Sequence, residues 1–169
     1  MDRFWKQGSG LGRVIVGLGG AAVAGMLVYF FANPAYRHYQ VRDKVSEALA
    51  TTAACRVEIA KIVQSTSASL LSTSLFACDG GASSGVQVPR HLKSIALRTT
   101  GAMTITLDHR FLPELTLATS AITVVPMLDA KNALRNTDVG KNIASWRCGS
   151  PEDGTTIPEK YLPSNCTAK

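Results

Sequence analysis

One stretch constrains this chain more than any other. Val14 to Phe31 contains no charged residue, and an amphipathic pattern takes over after Asn33-Pro34-Ala35-Tyr36. The first part suits hydrocarbon, since a spanning helix needs roughly 20 apolar residues. The second part needs one dry face and one wet face. Val41, Val45, Ala48, Thr52, Cys55, Ile59 and Ile62 recur at steps of four and three, whereas Arg42, Glu47, Arg56 and Lys61 fall mostly off that stripe. This is one face of an α-helix. The two parts read as a long helix, half membrane anchor and half spine for a folded domain. Pro34 removes a backbone donor and crowds the carbonyl of Phe30, so a kink is expected there rather than an end.

The chain therefore divides into 1–12, a short leader-like or cytoplasmic segment; 13–33, a transmembrane helix; and 34–169, one exported domain. The formal net charge is +6. Arg3, Lys6 and Arg13 against Asp2 place +2 of it before the apolar run, which leaves +4 for the rest. No Ala-x-Ala-like site follows the run, so a removable secretory signal is not indicated.

Four cysteines, Cys55, Cys78, Cys148 and Cys166, lie beyond the apolar run without any C-x-x-C spacing. With His38, His91 and His109 distant in sequence, zinc is not expected. Dispersed, even-numbered cysteines behind an anchor point to two disulfides on an oxidising side of the membrane. Three pairings are open. The preferred one joins sequence neighbours, Cys55–Cys78 and Cys148–Cys166.

From Ser65 the composition changes. Serine- and glycine-rich loops surround a short irregular piece at Leu70-Leu71 and Leu75-Phe76. Candidate strands follow at Ile95–Thr99, Met103–Leu107, Leu115–Thr119, Ala121–Val125 and Ser145–Arg147, with Pro126 ending the fourth. Three or four of them make an antiparallel meander. The expected class is α+β, a long N-terminal helix laid on one face of a roughly four-stranded antiparallel sheet. The tail from Cys148 to Cys166 is rich in turn formers and poor in core residues, so a disulfide closing it offsets about 3 kcal/mol of chain entropy.

These residues carry a resemblance. Pro34-Ala35-Tyr36-x-x-Tyr39, with Val45-Ser46-Glu47-Ala48-Leu49-Ala50, resembles the helix of type IV pilins. Trp146-x-Cys148 and Ile157-Pro158-x-x-Tyr161-Leu162-Pro163-x-x-Cys166 resemble the C-terminal disulfide loop of that family. Ile122-Thr123-Val124-Val125-Pro126 is similar to the strand before it. The resemblance spans Val14 to Cys166. It implies a structural subunit of a pilus or pilus-like filament serving adhesion, twitching motility or DNA uptake. Its implied partners are other pilin subunits through the N-terminal helix, the inner membrane and the pilus assembly machinery. Its implied location is the bacterial inner membrane with a periplasmic domain, or the extracellular pilus.

The N-terminus departs from the family pattern. Counting back from Pro34, the family's cleavage glycine falls on Gly12 and the first mature residue on Arg13. The family's acidic residue falls on Gly17. Arg13 also suits a snorkelling boundary residue. The alternative role is an uncleaved, membrane-anchored accessory protein that binds the machinery or true pilins, or a DNA-binding competence receptor.

No nucleotide loop, metal-spaced cluster or G-x-S-x-G nucleophile motif occurs, so neither an enzyme nor a cofactor is expected. Asp108-His109 reads as a hairpin turn rather than an acid–base pair. Asn165-Cys166-Thr167 matches a glycosylation sequon. Arg90, Lys93 and Arg98 precede or lie on strands, and Lys131, Arg135 and Lys141 lie before the last strand. The latter three are the candidate contacts for DNA or another anion, against the simpler reading of a solvated basic surface.

Overall fold

The structure, a computed structural model, describes Gly25, Met26, Tyr29, residues 36–76, Cys78 and residues 89–166. Gly12, Arg13, Gly17, Pro34 and most of the uncharged run lie outside the described residues. The chain forms two compact units, 1–39 and 40–169. In the first, Gly25, Met26, Tyr29 and residues 36–39 are helical. Among the described residues no helix is long and apolar enough to cross a membrane.

The second unit begins with helix α1 over 40–51 and continues into α2, Ala53–Ser65. Val41, Val45, Ala48, Ile59 and Val63 are buried in one core. The helix falters at Thr52, where both threonines turn back on the preceding carbonyls. Thr51 Oγ1 donates to the Ala48 carbonyl and Thr52 Oγ1 to the Leu49 carbonyl, each at 2.7 Å. Thr52 N–H also donates to Leu49 O, at 3.2 Å, and Arg56 Nη2 approaches the same oxygen at 3.4 Å. Such hydroxyls compete with the helical ladder and tighten its last turn. The buried stripe continues past this point. Thr52 and Ile59 are fully buried as the periodicity predicts, but Val63 is buried whereas Ile62 is only half-buried.

Four antiparallel strands make the sheet: β1 (Leu92–Leu97), β2 (Met103–Leu107), β3 (Ala121–Met127) and β4 (Ser145–Cys148), side by side in that order. The alternation of β2 and β3 puts Met103, Ile105, Leu107, Ile122 and Val124 into the helix-facing core. A turn closed by Gly101 at φ +72° joins β1 to β2.

Leu115–Thr119 is not a strand. Leu117–Thr119 is a 3₁₀ turn, held by reciprocal bonds between Thr116 and Thr119 at 2.9 Å. Leu115 and Leu112 enter the core from this connection without a ladder. Pro126 does not end β3 either, since the strand runs through it to Met127. Odd-numbered residues of β3 bond toward β4 and even-numbered ones toward β2. The missing Pro126 N–H therefore faces the side on which β2 has already finished. There the Pro126 carbonyl accepts from Leu134 N–H at 2.9 Å, and Met127 bridges Ala133. Proline is tolerated in a strand where no ladder partner needs its donor.

The tail also differs from expectation. Ile157, Tyr161, Leu162 and Cys166 are all buried, so it contributes to the core it closes. The structure joins Cys55 to Cys78 and Cys148 to Cys166. Arg42 of α1 donates to the Lys160 carbonyl at 2.8 Å, which fastens the tail to the helix.

The chain leaves β4 through Gly149 at φ +85°, and a β-carbon there would run into the Cys166 carbonyl. Gly140 has a similar φ, +76°, but nothing within 4 Å of a would-be β-carbon. Gly140→Ala is expected to cost about 1 kcal/mol, the left-handed strain alone. Gly149→Ala should cost about 3 kcal/mol or more, because backbone must also shift. Urea unfolding of both under oxidising conditions measures the difference, and equal losses would contradict this packing.

Candidate functional site

Two regions bring polar groups together. The first is the loop between β3 and β4. Asp129 shapes its opening turn. Its Oδ1 accepts from Lys131 N–H at 2.8 Å and from Asn132 N–H at 2.9 Å, and its Oδ2 accepts from Asn132 Nδ2 at 2.8 Å. Asp138 organises the other end, taking Arg135 N–H at 2.8 Å and Lys141 Nζ at 2.7 Å. The loop is fastened down by Gly140 N–H to the Val63 carbonyl and by Leu71 N–H to the Asn136 carbonyl, both at 2.8 Å. Arg135 and Lys141 line an open bowl of about 300 Å³, with Leu128, Asn132 and Ala133 beside the two carboxylates.

Arg135 and Lys141 share this bowl and Lys131 is not part of its lining; along the loop Asp129 and Asp138 interleave with the three, and three cations against two anions leave +1. That is a small charge for a duplex backbone that presents one phosphate per ~1.7 Å. The signal for this neutralisation was present in the sequence as Asp-x-Lys and Asp-x-x-Lys spacing.

The second region is the disulfide-closed tail where it meets β3. Beyond Cys148, β4 no longer flanks β3, and the tail replaces it. Thr123 N–H donates to Thr155 Oγ1 and Ala121 N–H to Thr156 Oγ1, each at 3.1 Å. The Ala121 carbonyl accepts from Thr156 N–H at 2.8 Å and Ile157 N–H at 3.2 Å. Arg147 clamps the approach with two bonds to Asp153, both 2.8 Å. Side-chain hydroxyls here do the work of a fifth strand's carbonyls. Sequence reasoning did not see this role for Thr155-Thr156, which reads as ordinary turn composition.

Asp108 gives no acid–base pair. Its carboxylate is committed to Arg110, with Nη2 at 2.6 Å and Nε at 3.0 and 3.1 Å, and the Arg110 N–H adds a further bond at 3.0 Å. Those bonds hold its pKa down to about 2. Among the described residues, no group of three or more His, Cys, Asp or Glu side chains is placed to hold a metal ion. His91, which sequence reasoning left unassigned, is buried, and its Nε2 donates to the Lys44 carbonyl at 3.0 Å, tying the start of β1 to α1.

The bonds to Asp138 lower its pKa, first through Lys141 Nζ and then through Arg135 N–H. A depressed carboxyl stabilises the loop above its ordinary titration range and loses that effect as pH falls through the folded value. The protection of the Arg135 amide, the intrinsic exchange rate at the same pH divided by the observed one, should therefore fall on acidification in the wild type. In Asp138→Asn that protection should be low already at neutral pH and should not change further with acid. Equal acid sensitivity in both would show that another group governs the loop.

The comparisons with known proteins bear on this architecture. The model of the pilin family of bacterial filament proteins matches residues 41–167. No curated protein matches the chain significantly. The crystal structure of a type IV pilin from Pseudomonas aeruginosa strain Pa110594 superposes with a TM-score of 0.57 at 19% identity, covering 75% of this chain and 97% of that one. At that identity the likeness is one of fold: a helix on a four-stranded antiparallel sheet with a disulfide near the C-terminus. Because the family model covers three quarters of the sequence, from the first buried residue of α1 to the last disulfide, this chain belongs to the pilin family.

Proposed function

We propose that the chain is a structural subunit of a type IV pilus or pilus-like filament, held to its neighbours and to the inner membrane by its N-terminal segment. The observation that carries this reading is the order of parts. A charge-free run, Val14–Phe31, leads directly into the helix of a pilin-family domain closed by two disulfides. A pilin body supplies a filament's exterior, and an apolar helix ahead of it supplies a shaft.

Position within the filament follows from charge. Between Asp2 and Asp43 the sequence has no carboxylate, and Arg13 and Gly17 occupy the places where the family resemblance puts the first mature residue and its acidic partner. An amine or guanidinium buried in an apolar shaft without an answering anion costs several kcal/mol. A minor subunit at an end of the filament, or an uncut one kept in the membrane beside the assembly machinery, avoids that cost. A subunit repeated along a continuous shaft does not.

Mass spectrometry of the N-terminus, together with quantification in sheared filaments, tests this. The expected result is an uncut chain, or one present at low copy number relative to the main subunit. Abundant cleaved protein along the filament would refute the minor position. Arg13→Phe combined with Gly17→Glu should raise both processing and incorporation, whereas Gly17→Glu alone should change little.

A further inference from the structure

The sheet ends on two edge strands, and they are not equivalent. Arg98 N–H donates to the Ala102 carbonyl at 2.8 Å, and the register pairs Ala96 with Thr104 and Ser94 with Thr106. Directly bonded positions alternate along an antiparallel pair, so the even-numbered residues of β1 spend their backbone groups on β2. Leu107 N–H donates to the Ser120 carbonyl at 2.8 Å, which puts the odd-numbered residues of β2 on the β3 side and agrees with that phase. The N–H and C=O of Ile95 and Leu97 therefore point away from the sheet. Among the described residues no group bonds to them.

This edge is accessible. Lys93, Ser94 and Ala96 are exposed, and Ile95 and Leu97 are half-buried at the rim of the core. The β4 edge differs, because the tail is bonded to it through Cys148 and lies against Gly149. Lys93 stands at a bulge between Leu92 and Ser94, and a lysine and a bulge both discourage indiscriminate pairing along an edge. Past the bulge, residues 94–97 keep a regular register. Lys93 and Arg90, just ahead of the strand, are exposed and form no ion pair or side-chain hydrogen bond among the described residues.

We propose that this edge docks an extended acidic segment of another protein by strand addition, antiparallel to β1, with a carboxylate beside Lys93. A row of alternating donors and acceptors at strand spacing specifies an extended peptide as the occupant. Ile95 and Leu97 give its alternate side chains an apolar shelf. The exposed cations select its charge, since opposite charges across a strand pair attract. A second copy fits poorly, because neither edge strand, Leu92–Leu97 nor Ser145–Cys148, contains a carboxylate. The inference concerns the folded unit alone and does not depend on filament assembly.

The test follows amide exchange by NMR on the full chain in detergent micelles, with a synthetic peptide added to millimolar concentration. The peptide alternates valine and threonine and ends in two aspartates and a C-terminal amide. The amides of Ile95 and Leu97 should gain about tenfold protection or more, whereas those of Ser94 and Ala96, already bonded to β2, should change little. Methylating the peptide nitrogens that face β1 should abolish binding, and methylating the intervening ones should not. Lys93→Glu, at an exposed position, should weaken binding about tenfold and favour a peptide ending in two lysines instead. Unchanged protection at Ile95 and Leu97, equal binding of both peptides to the wild type, or indifference to which nitrogens are methylated would each overturn the proposal.

Discussion

Everything in the folded unit depends on satisfying β3 along both edges. It is the most completely buried strand, and a buried backbone donor or acceptor left unpaired costs about 1–3 kcal/mol. No single neighbour spans its length. On one edge β2 pairs from Ala121 to Val124, and the hairpin returning through Ala133 and Leu134 takes over at Pro126. On the other edge β4 pairs from Val124 to Met127, and the tail takes over at Thr123 and Ala121 through Thr155 and Thr156. Four segments far apart in sequence therefore close around one strand. The disulfide from Cys148 to Cys166 matters because it keeps the fourth of them in place.

The helical layer obeys a related economy. α1 and α2 bury one stripe against the sheet, and that stripe runs on across the turn at Thr52. At 100° per residue Val63 falls about 40° and Ile62 about 60° from the line through Val41 and Ile59. Val63 therefore shares the buried core with Ile59, and Ile62 packs at its rim. Gly101 marks how close the layers come, since a β-carbon on it would lie 2.9 Å from Ile59 Cγ2. The chain's charges are arranged around this packing rather than within it. Asp108, Asp138 and Asp153 are each matched to a cation near their own turn.

Much of this was legible in advance, and the failures have physical causes. The stripe at steps of four and three identified the helix because burial is periodic there. The alternation of Met103–Leu107 and of Ala121–Val125 identified two central strands for the same reason. Leu115–Thr119 shows the same alternation, yet Thr116 and Thr119 satisfy each other locally and the segment turns. Alternation reports which residues are buried, and it does not report where the backbone hydrogen bonds go. Pro126 was misjudged because the rule against proline in strands is a rule about a ladder partner, and here there is none on that side. The tail's core residues were hidden by their turn-forming neighbours. Of the candidate anion site, the placement of Lys131, Arg135 and Lys141 in one loop was readable, whereas the bonds to Asp138 that occupy Lys141 and fix the Arg135 backbone needed the folded loop.

The central claim is that the disulfide-closed tail completes β3. Residue-resolved amide exchange on the full chain, comparing wild type with a Cys148→Ser/Cys166→Ser variant, tests it most directly. Ala121 and Thr123, whose donors reach only the tail's hydroxyls, should lose protection first and by the largest factor. Val125 and Met127, which bond to β4, should stay protected until the whole domain unfolds. Uniform loss along β3, or undiminished protection at Ala121 and Thr123, would contradict the account.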